Sequence, residues 1–273
     1  MLLYFGSTTM LPADAHSMCD VDHRAAPKFV SRGGIKLDNA LTAIGLDVSG
    51  HDALDVGAST GGFTDCLLQR GARHVVALDV GYGQLDWGLR NDPRVTVLER
   101  TNARHLTPDM LPYAPDLVTI DVSFISLKLI LPAVLARASL RERYDVLALI
   151  KPQFEVGREL ASKGRGVIRD ADARRGALVE VGRAARGLGA SVLGYRYSGL
   201  PGPKGNRETF IHLAEATRAD EAALAGSTGV EGSSGVEVAA GADEAAGVEG
   251  SGAGEVSAQE QQLMRMAYEA EPA

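Results

Sequence analysis

Five short apolar runs, most of them stopping at a charged residue or a glycine, constrain the fold of this chain more than any other feature. Ala53-Leu54-Asp55-Val56 breaks into a loop from Gly57 to Gly62, and Val75-Val76-Ala77-Leu78 stops at Asp79. Val95-Thr96-Val97-Leu98 is a third run, Leu117-Val118-Thr119-Ile120 stops at Asp121, and Val146-Leu147-Ala148-Leu149-Ile150 stops at Lys151. Runs this short and this apolar are strands covered on both faces, and helical patterns between them make the sheet parallel. A helix is predicted from about Arg32 to Ile44, with Leu37, Leu41 and Ile44 on one face, and another carries Phe63, Leu67 and Leu68 and stops near Gly71. A third runs from about Asp172 to Gly187, with Asp170 or Asp172 as cap. Val192 to Tyr197 and Thr209 to Leu213 read as two further strands, joined by a loop from Gly199 to Glu208 that is too long for a tight hairpin. The expectation is a doubly wound, mostly parallel, seven-stranded α/β sheet. In such sheets ligands gather at the carboxyl ends of the strands, which puts Asp55, Asp79, Asp121 and Lys151 near one rim.

Three chemistries share the grammar of a strand followed by a glycine loop. A dinucleotide fingerprint needs GxGxxG, and here Ser59 stands two residues after Gly57. A Walker loop needs a following GKS or GKT, which is absent. Gly57-Ala58-Ser59-Thr60-Gly61 does match the GxSxG nucleophile elbow, and Asp121 and His212 follow Ser59 in hydrolase order. That alternative is a serine hydrolase using Ser59, but His212 falls inside a predicted strand rather than on a loop. The remaining reading is binding of an adenosyl cofactor. Glycine lets the backbone approach the ligand closely, and Asp79, 22 residues after Gly57, is placed to grip ribose hydroxyls.

Six blocks in order resemble one family. Val30-Ser31-Arg32-Gly33-Gly34-Ile35-Lys36-Leu37 and Leu54-Asp55-Val56-Gly57-Ala58-Ser59-Thr60-Gly61-Gly62-Phe63-Thr64-Asp65-Cys66-Leu67 are the first two. Asp79-Val80-Gly81-Tyr82-Gly83-Gln84-Leu85, Ile120-Asp121-Val122-Ser123-Phe124-Ile125-Ser126-Leu127, Leu149-Ile150-Lys151-Pro152-Gln153-Phe154-Glu155 and Gly205-Asn206-Arg207-Glu208-Thr209-Phe210 complete the set. Over about Lys28 to Leu213 the chain resembles the TlyA, or hemolysin A, family of ribosomal RNA cytidine 2′-O-methyltransferases with an FtsJ-like catalytic domain. The resemblance implies a Rossmann-like class I methyltransferase fold whose last strand runs antiparallel, S-adenosylmethionine as methyl donor, and ribosomal RNA or ribosomal subunits as partner. It implies a catalytic set at Lys36, Asp121, Lys151 and Glu208. In the cofactor site it points to Asp55, Gly57, Gly61, Phe63, Asp79 and Asn102, to which the loop reading adds Ser59, Gly62 and Asp121. Family members carry an S4-type RNA-binding domain first, and the residues ahead of Lys28 are too few to form one.

The chemistry is coherent on its own terms. A ribose hydroxyl is a poor nucleophile at neutral pH, so an enzyme must orient its oxygen and remove its proton. A lysine does this where burial and positive neighbours depress its pKa. Lys151 is expected to be the base, held by Asp121, with Lys36 and Glu208 placing the hydroxyl. A single charged residue of this kind is ordinarily a surface ion pair worth little. Tyr82, Trp87 and Phe124 are candidates to stack on a base, with core packing the ordinary use of any one of them.

Charge separates the chain into parts. The whole carries −7, Asp220 to Ala273 carries −10, and the body before it is left with +3. The tail is rich in Gly, Ala and Ser and shows no sustained apolar face, so it reads as an acidic, disordered segment with at most a short helix near Gln259 to Tyr268. Cutting after Ala219 should then leave the domain folded. The organisation expected is an irregular leader over 1–27, a methyltransferase domain over 28–218 and the tail over 219–273. Arg137, Arg141 and Arg143, and the group Arg158, Lys163, Arg165 and Arg169, are candidate phosphate contacts. The two cysteines, Cys19 and Cys66, build no disulfide framework and no zinc motif, so no metal is expected. No apolar run reaches spanning length, which argues against a membrane protein and for the cytoplasm. A membrane-active hemolysin and a non-catalytic protein that binds S-adenosylmethionine or the ribosome remain as alternatives.

Overall fold

Seven strands form one sheet in the order β3-β2-β1-β4-β5-β7-β6, in a computed structural model that describes residues 27–136, 140–216 and 257–271. In chain order the elements are α1 (Arg32–Ile44), β1 (Asp52–Val56), α2 (Gly62–Gln69), β2 (His74–Leu78), α3 (Trp87–Arg90), β3 (Val95–Leu98), β4 (Leu117–Ile120), α4 (Leu131–Val134), β5 (Asp145–Ile150), α5 (Pro152–Glu155), α6 (Arg158–Lys163), α7 (Ala171–Gly187), β6 (Ala190–Tyr197), β7 (Thr209–Glu215) and α8 (Ala258–Ala270). Strands β1 to β5 pair in parallel, and β7 runs antiparallel to both β5 and β6. The strand order reverses between β1 and β4, so the chain leaving β1 and the chain leaving β4 diverge around a crevice at the carboxyl rim.

Alternation along each strand builds two cores. On one face Leu37 and Leu41 of α1 and Phe63, Cys66 and Leu67 of α2 pack against Ala53, Val75, Leu147 and Phe210. On the other, Leu131 and Val134 of α4, Leu178 and Val181 of α7, and Leu263 and Ala267 of α8 pack against Leu54, Val118, Val146 and Ile211. Helix α1 begins after Ser31, whose backbone is extended, and stops at Gly45, whose left-handed conformation lets its N–H reach the Leu41 carbonyl. The Asp170 carboxylate accepts from Asp172 N and starts α7, as the sequence suggested.

Helix α8 departs from the expectation. Leu263, Met266, Ala267 and Ala270 recur at helical spacing, and Leu263 and Ala267 are fully buried against α7 and β6. The short helix allowed near Gln259 to Tyr268 is present as Ala258–Ala270, and it carries an apolar stripe that the sequence reading did not give the tail. The leader before residue 27, Arg137 and tail residues 217–256 lie outside the described residues. Among the described residues, no helix is long and apolar enough to cross a membrane, and no group of His, Cys, Asp and Glu is arranged to hold a metal ion.

Candidate active site

The first turn of α1 meets the first turn of α2 with almost no space between their backbones. A Cβ on Gly62 would lie 2.1 Å from Ser31 Oγ and 2.9 Å from Gly34 N, so glycine is required there. That contact brings Lys36 of α1 to the carboxyl rim beside the loop after β1. Lys36 is buried, and its Nζ lies 2.5 Å from Glu208 Oε2, which arrives from the start of β7 on the opposite side of the chain sequence. Lys151, following β5, places Nζ 2.6 Å from Asp121 Oδ1 and donates to Ser123 Oγ at 2.8 Å.

Three of the four lysine and carboxylate side chains meet in one space, while Glu208 is buried behind Lys36 and lines neither of the two cavities at this rim. Lys36, Asp121, Ser123 and Lys151 line one cavity of about 410 Å³ together with Gly57, Ser59, Gly62 and Phe63. Gly57, Ser59, Asp121 and Ser123 also line a neighbouring cavity of about 460 Å³, which reaches Asp79, Asn102 and the apolar side chains of Val80, Val122, Ile125 and Ile130. The two spaces therefore share a wall and form one groove across the crevice.

Asp79 closes the far side. Its Oδ2 accepts from Ser59 N at 2.8 Å and its Oδ1 from Gly81 N at 2.6 Å, so one carboxylate joins the loop after β1 to the turn after β2 and keeps a lone pair on each oxygen for a ligand. Asn102 accepts from Arg104 N and so caps a short 3-10 turn at the cavity's edge. A two-oxygen acceptor, an amide and apolar walls are the donor set that an adenosine needs, and the lysine–carboxylate pairs lie at the other end of the same groove. The residues present fit S-adenosylmethionine.

Two residues assigned to the cofactor from the sequence line neither cavity. Gly61 turns toward Leu85 and Leu89. Asp55 is wholly buried and accepts from Thr64 Oγ1 at 2.7 Å and Thr119 Oγ1 at 3.2 Å, tying β1 to α2 and β4. Burial pushes its pKa up to about 7, against the pull of the two hydroxyls. Asp55 is a support beneath the loop.

The hydrolase alternative does not assemble. His212 pairs with Asp145 at 2.6 Å at the amino end of β5, opposite the rim that carries Ser59 and Asp121. Arg141 is likewise taken up at the amino rim by Asp52 and Asp116 rather than offered to a phosphate. Tyr82, Trp87 and Phe124, for which core packing was the ordinary reading, are exposed, and Phe124 lines the adenosyl-side cavity with Phe154 against its ring.

Sequence reading missed the supports. Asn206 is buried, accepts from Ile168 N and donates to Gly166 O, fixing the loop before Glu208. Gly202 passes so close over Glu208 that a Cβ would lie 2.2 Å from Oε1. Glu155 accepts from Ser126 Oγ and Leu127 N and holds the segment after Asp121, and burial raises its pKa. Asn206 stood in a quoted motif, but nothing in one sequence gave it a partner.

Residues 29–215 match the model of the FtsJ-like methyltransferases. The chain is 53% identical over 197 residues to the 16S/23S rRNA (cytidine-2′-O)-methyltransferase TlyA of Mycobacterium tuberculosis, covering 72% of each. It is 40% identical to Hemolysin A of Brachyspira hyodysenteriae, over 76% of this chain and 87% of that one. A crystal structure from Lactococcus lactis, provisionally described as a hemolysin, superposes with a TM-score of 0.66 at 46% identity, over 70% of this chain and 90% of that one.

Proposed function

The chain belongs to the FtsJ-like methyltransferase family, within its TlyA branch, and on that premise we propose that it is the enzyme that methylates the ribose 2′-oxygen of a cytidine in ribosomal RNA, using Lys36, Asp121, Lys151 and Glu208. The observation that supports the residue assignment is that Lys36, Asp121 and Lys151, from three separate segments, line one groove that continues to Asp79, with Glu208 buried behind Lys36 and paired to it. When bound, S-adenosylmethionine supplies an electrophilic methyl group on a sulfonium.

The protein's own work is binding, orientation and proton removal. Asp79 would hold the ribose hydroxyls of the adenosyl moiety and Asn102 would stand at its adenine end. Gly57 and Ser59 form the floor between the two cavities, and Gly62 and Phe63 line the lysine side. Lys36 and Glu208 hold the 2′-hydroxyl of the target nucleotide. Lys151, as the neutral amine after release of its own proton to solvent, receives the hydroxyl proton at Nζ, oriented by Asp121 and Ser123. General-base assistance of this sort contributes about 10²- to 10⁴-fold, and correct placement of the oxygen adds to it. Phe124, 90% exposed at the cavity mouth, is available to stack on a base. Whole ribosomal subunits are the form in which the RNA is presented, and the cytoplasm is where they are met.

The test is incubation with unmodified ribosomal RNA, with each subunit, and with labelled methyl donor, followed by mapping of 2′-O-methyl groups. A methylated cytidine is expected, on subunits more than on bare RNA. Labelling at a base, or none on any RNA, would overturn the reading.

A further inference from the structure

Glu271 stands just past α8 with its side chain 1% exposed. Its Oε2 lies 2.9 Å from Nε of Arg174 on α7 and 2.9 Å from Nε of Arg207, and its Oε1 accepts from Thr209 Oγ1 at 2.8 Å. Its main-chain carbonyl accepts from Arg175 Nε at 2.8 Å. A carboxylate buried at a helix carboxyl end is doubly unfavourable, facing the negative end of the helix dipole and stripped of water. Two guanidinium groups and a hydroxyl offset that here, Arg174 through a hydrogen bond and Arg207 through its charge, since the Arg207 Nε is buried without a hydrogen-bond partner, and α8 is thereby tied to α7 and to the start of β7.

What the lock holds is the pair of residues on either side of Glu208. Side chains alternate along extended chain, so Arg207 and Thr209 face α7 and α8, while Glu208 and Phe210 face α1. Phe210 accordingly meets Phe63 of α2, with ring centroids 5.8 Å apart, and Glu208 meets Lys36. Fixing both neighbours from one face fixes where Glu208 points on the other. The Glu208 main chain is held by Ser198 N, which donates to its carbonyl at 3.0 Å, but among the described residues Lys36 is the one hydrogen-bond partner of its carboxylate, whose Oε1 is buried without one. Arg207 is steadied further by the Tyr197 ring, 3.8 Å from its guanidinium carbon, and by the Ala270 carbonyl at 3.3 Å.

We propose that Glu271 is a positioning residue for methyl transfer: acting through Arg207 and Thr209, it sets the Glu208 carboxylate against Lys36 from across the sheet. This rests on Glu208 belonging to the catalytic set. The adenosyl-side cavity shares no residue with this lock, so cofactor affinity and turnover should separate.

The experiment compares Glu271→Gln, Thr209→Val, Leu263→Ala and Glu208→Gln in the full chain, at a temperature where near-ultraviolet circular dichroism shows each one folded. Glu271→Gln keeps the volume and an acceptor for Thr209 but loses the charge facing two guanidiniums. Its kcat on ribosomal RNA should fall about 10- to 100-fold, the cost of a small misplacement made at a distance, with KM and calorimetric affinity for S-adenosylhomocysteine within about twofold of wild type. Its kcat–pH profile should also shift, because the Lys36–Glu208 pair is loosened. Thr209→Val removes one of the contacts and should show a smaller fall of the same kind, which keeps the proposal testable if Glu271→Gln does not fold. Leu263→Ala weakens α8 packing without touching the carboxylate and should leave kcat within about twofold. Unchanged kcat in Glu271→Gln beside an inactive Glu208→Gln would sink the positioning role and leave Glu208 in place. A parallel loss of cofactor affinity, or an equal fall of kcat in Leu263→Ala, would reduce Glu271 to general packing. Full activity of Glu208→Gln would remove the premise and the proposal together.

Discussion

At the amino rim of the sheet, Asp52 takes Arg73, Arg141 and His74, Asp116 takes Arg141 and the Asp52 backbone N–H, and Asp145 takes His212. At the carboxyl rim, Lys36 has one carboxylate, Lys151 has one carboxylate and a hydroxyl, and Glu208 keeps a buried oxygen with no partner. Both rims are rich in charge, and the amino rim holds a cavity of about 740 Å³, larger than either half of the groove. Charge density alone does not mark the site. The distinguishing property is hydrogen-bonding capacity left unspent beside backbone that a ligand can approach, and it occurs where the strand order reverses.

The largest expected effect is at Lys151. Lys151→Ala should lower methyl transfer by about 10²- to 10⁴-fold while S-adenosylhomocysteine still binds, because the loss falls on the transition state. Lys151→Arg should not recover it, since a guanidinium stays protonated. Arg73→Ala at the other rim removes a solvent-screened pair whose arginine is half exposed, so it should change stability little and leave kcat within about twofold. Single-turnover transfer beside urea unfolding checks both. A catalytic defect in Arg73→Ala, or a merely structural one in Lys151→Ala, would break the distinction between the rims.

Truncation after Ala219 comes next. Removing α8 exposes the surface that Leu263 and Ala267 cover and strips Arg174 and Arg207 of their shared carboxylate. A buried leucine alone contributes roughly 1.5 to 3 kcal/mol, so a loss of about 3 kcal/mol is expected in urea unfolding. An unchanged midpoint would mean that α8 does not dock in solution.

Legibility from sequence followed the same physical line. Strands covered on both faces announce themselves as apolar runs, and α1 was read to its observed ends because Leu37, Leu41 and Ile44 repeat on one face. Helices of four to six residues, such as α3, α5 and α6, are too short to show a period. The stripe on α8 was present in the letters but embedded in Gly-, Ala- and Glu-rich sequence, where composition outweighed spacing. The rim residues were legible because strand ends are. Asn206, Gly202 and Glu271 were not, because each acts through a partner distant in sequence or, for Gly202, through a side chain it must not have.

Asp79→Ala sharpens the division within the carboxyl rim. Losing charge-assisted hydrogen bonds to ribose should weaken S-adenosylhomocysteine binding by about 1.5 to 3 kcal/mol. The same carboxylate holds Ser59 N and Gly81 N, so Asp79→Asn, which keeps one acceptor, should lose less. Calorimetry with unchanged affinity in the Ala variant would take Asp79 out of the site.

The smallest effect puts the two rims on one strand. Asp52 and Asp55 sit three residues apart on β1, and their environments drive them in opposite directions. The Arg73 guanidinium holds Asp52 down at about 2, so its contribution to stability is present above the ordinary carboxylate pKa near 4 and is lost as pH falls from 4 toward 2. Burial raises Asp55 to about 7, so the folded protein holds a proton there that the unfolded chain has already released above pH 4. Its effect has the reverse sign: stability declines as pH rises from about 4 through 7, and the cost is complete above that. Asp55→Asn cannot ionise, and the Thr64 and Thr119 hydroxyls can rotate to serve its oxygen and its amide. The variant should therefore gain on wild type by on the order of 1 kcal/mol between pH 5 and pH 8 in urea unfolding. Asp52→Asn should fall furthest below wild type above pH 4 and by less as pH drops toward 2, where wild type gives up the same ion pair. Parallel stability curves for Asp55→Asn and wild type from pH 5 to 8 would mean that Asp55 is ionised throughout. The loop after β1 would then rest on a buried charge rather than on a neutral acid.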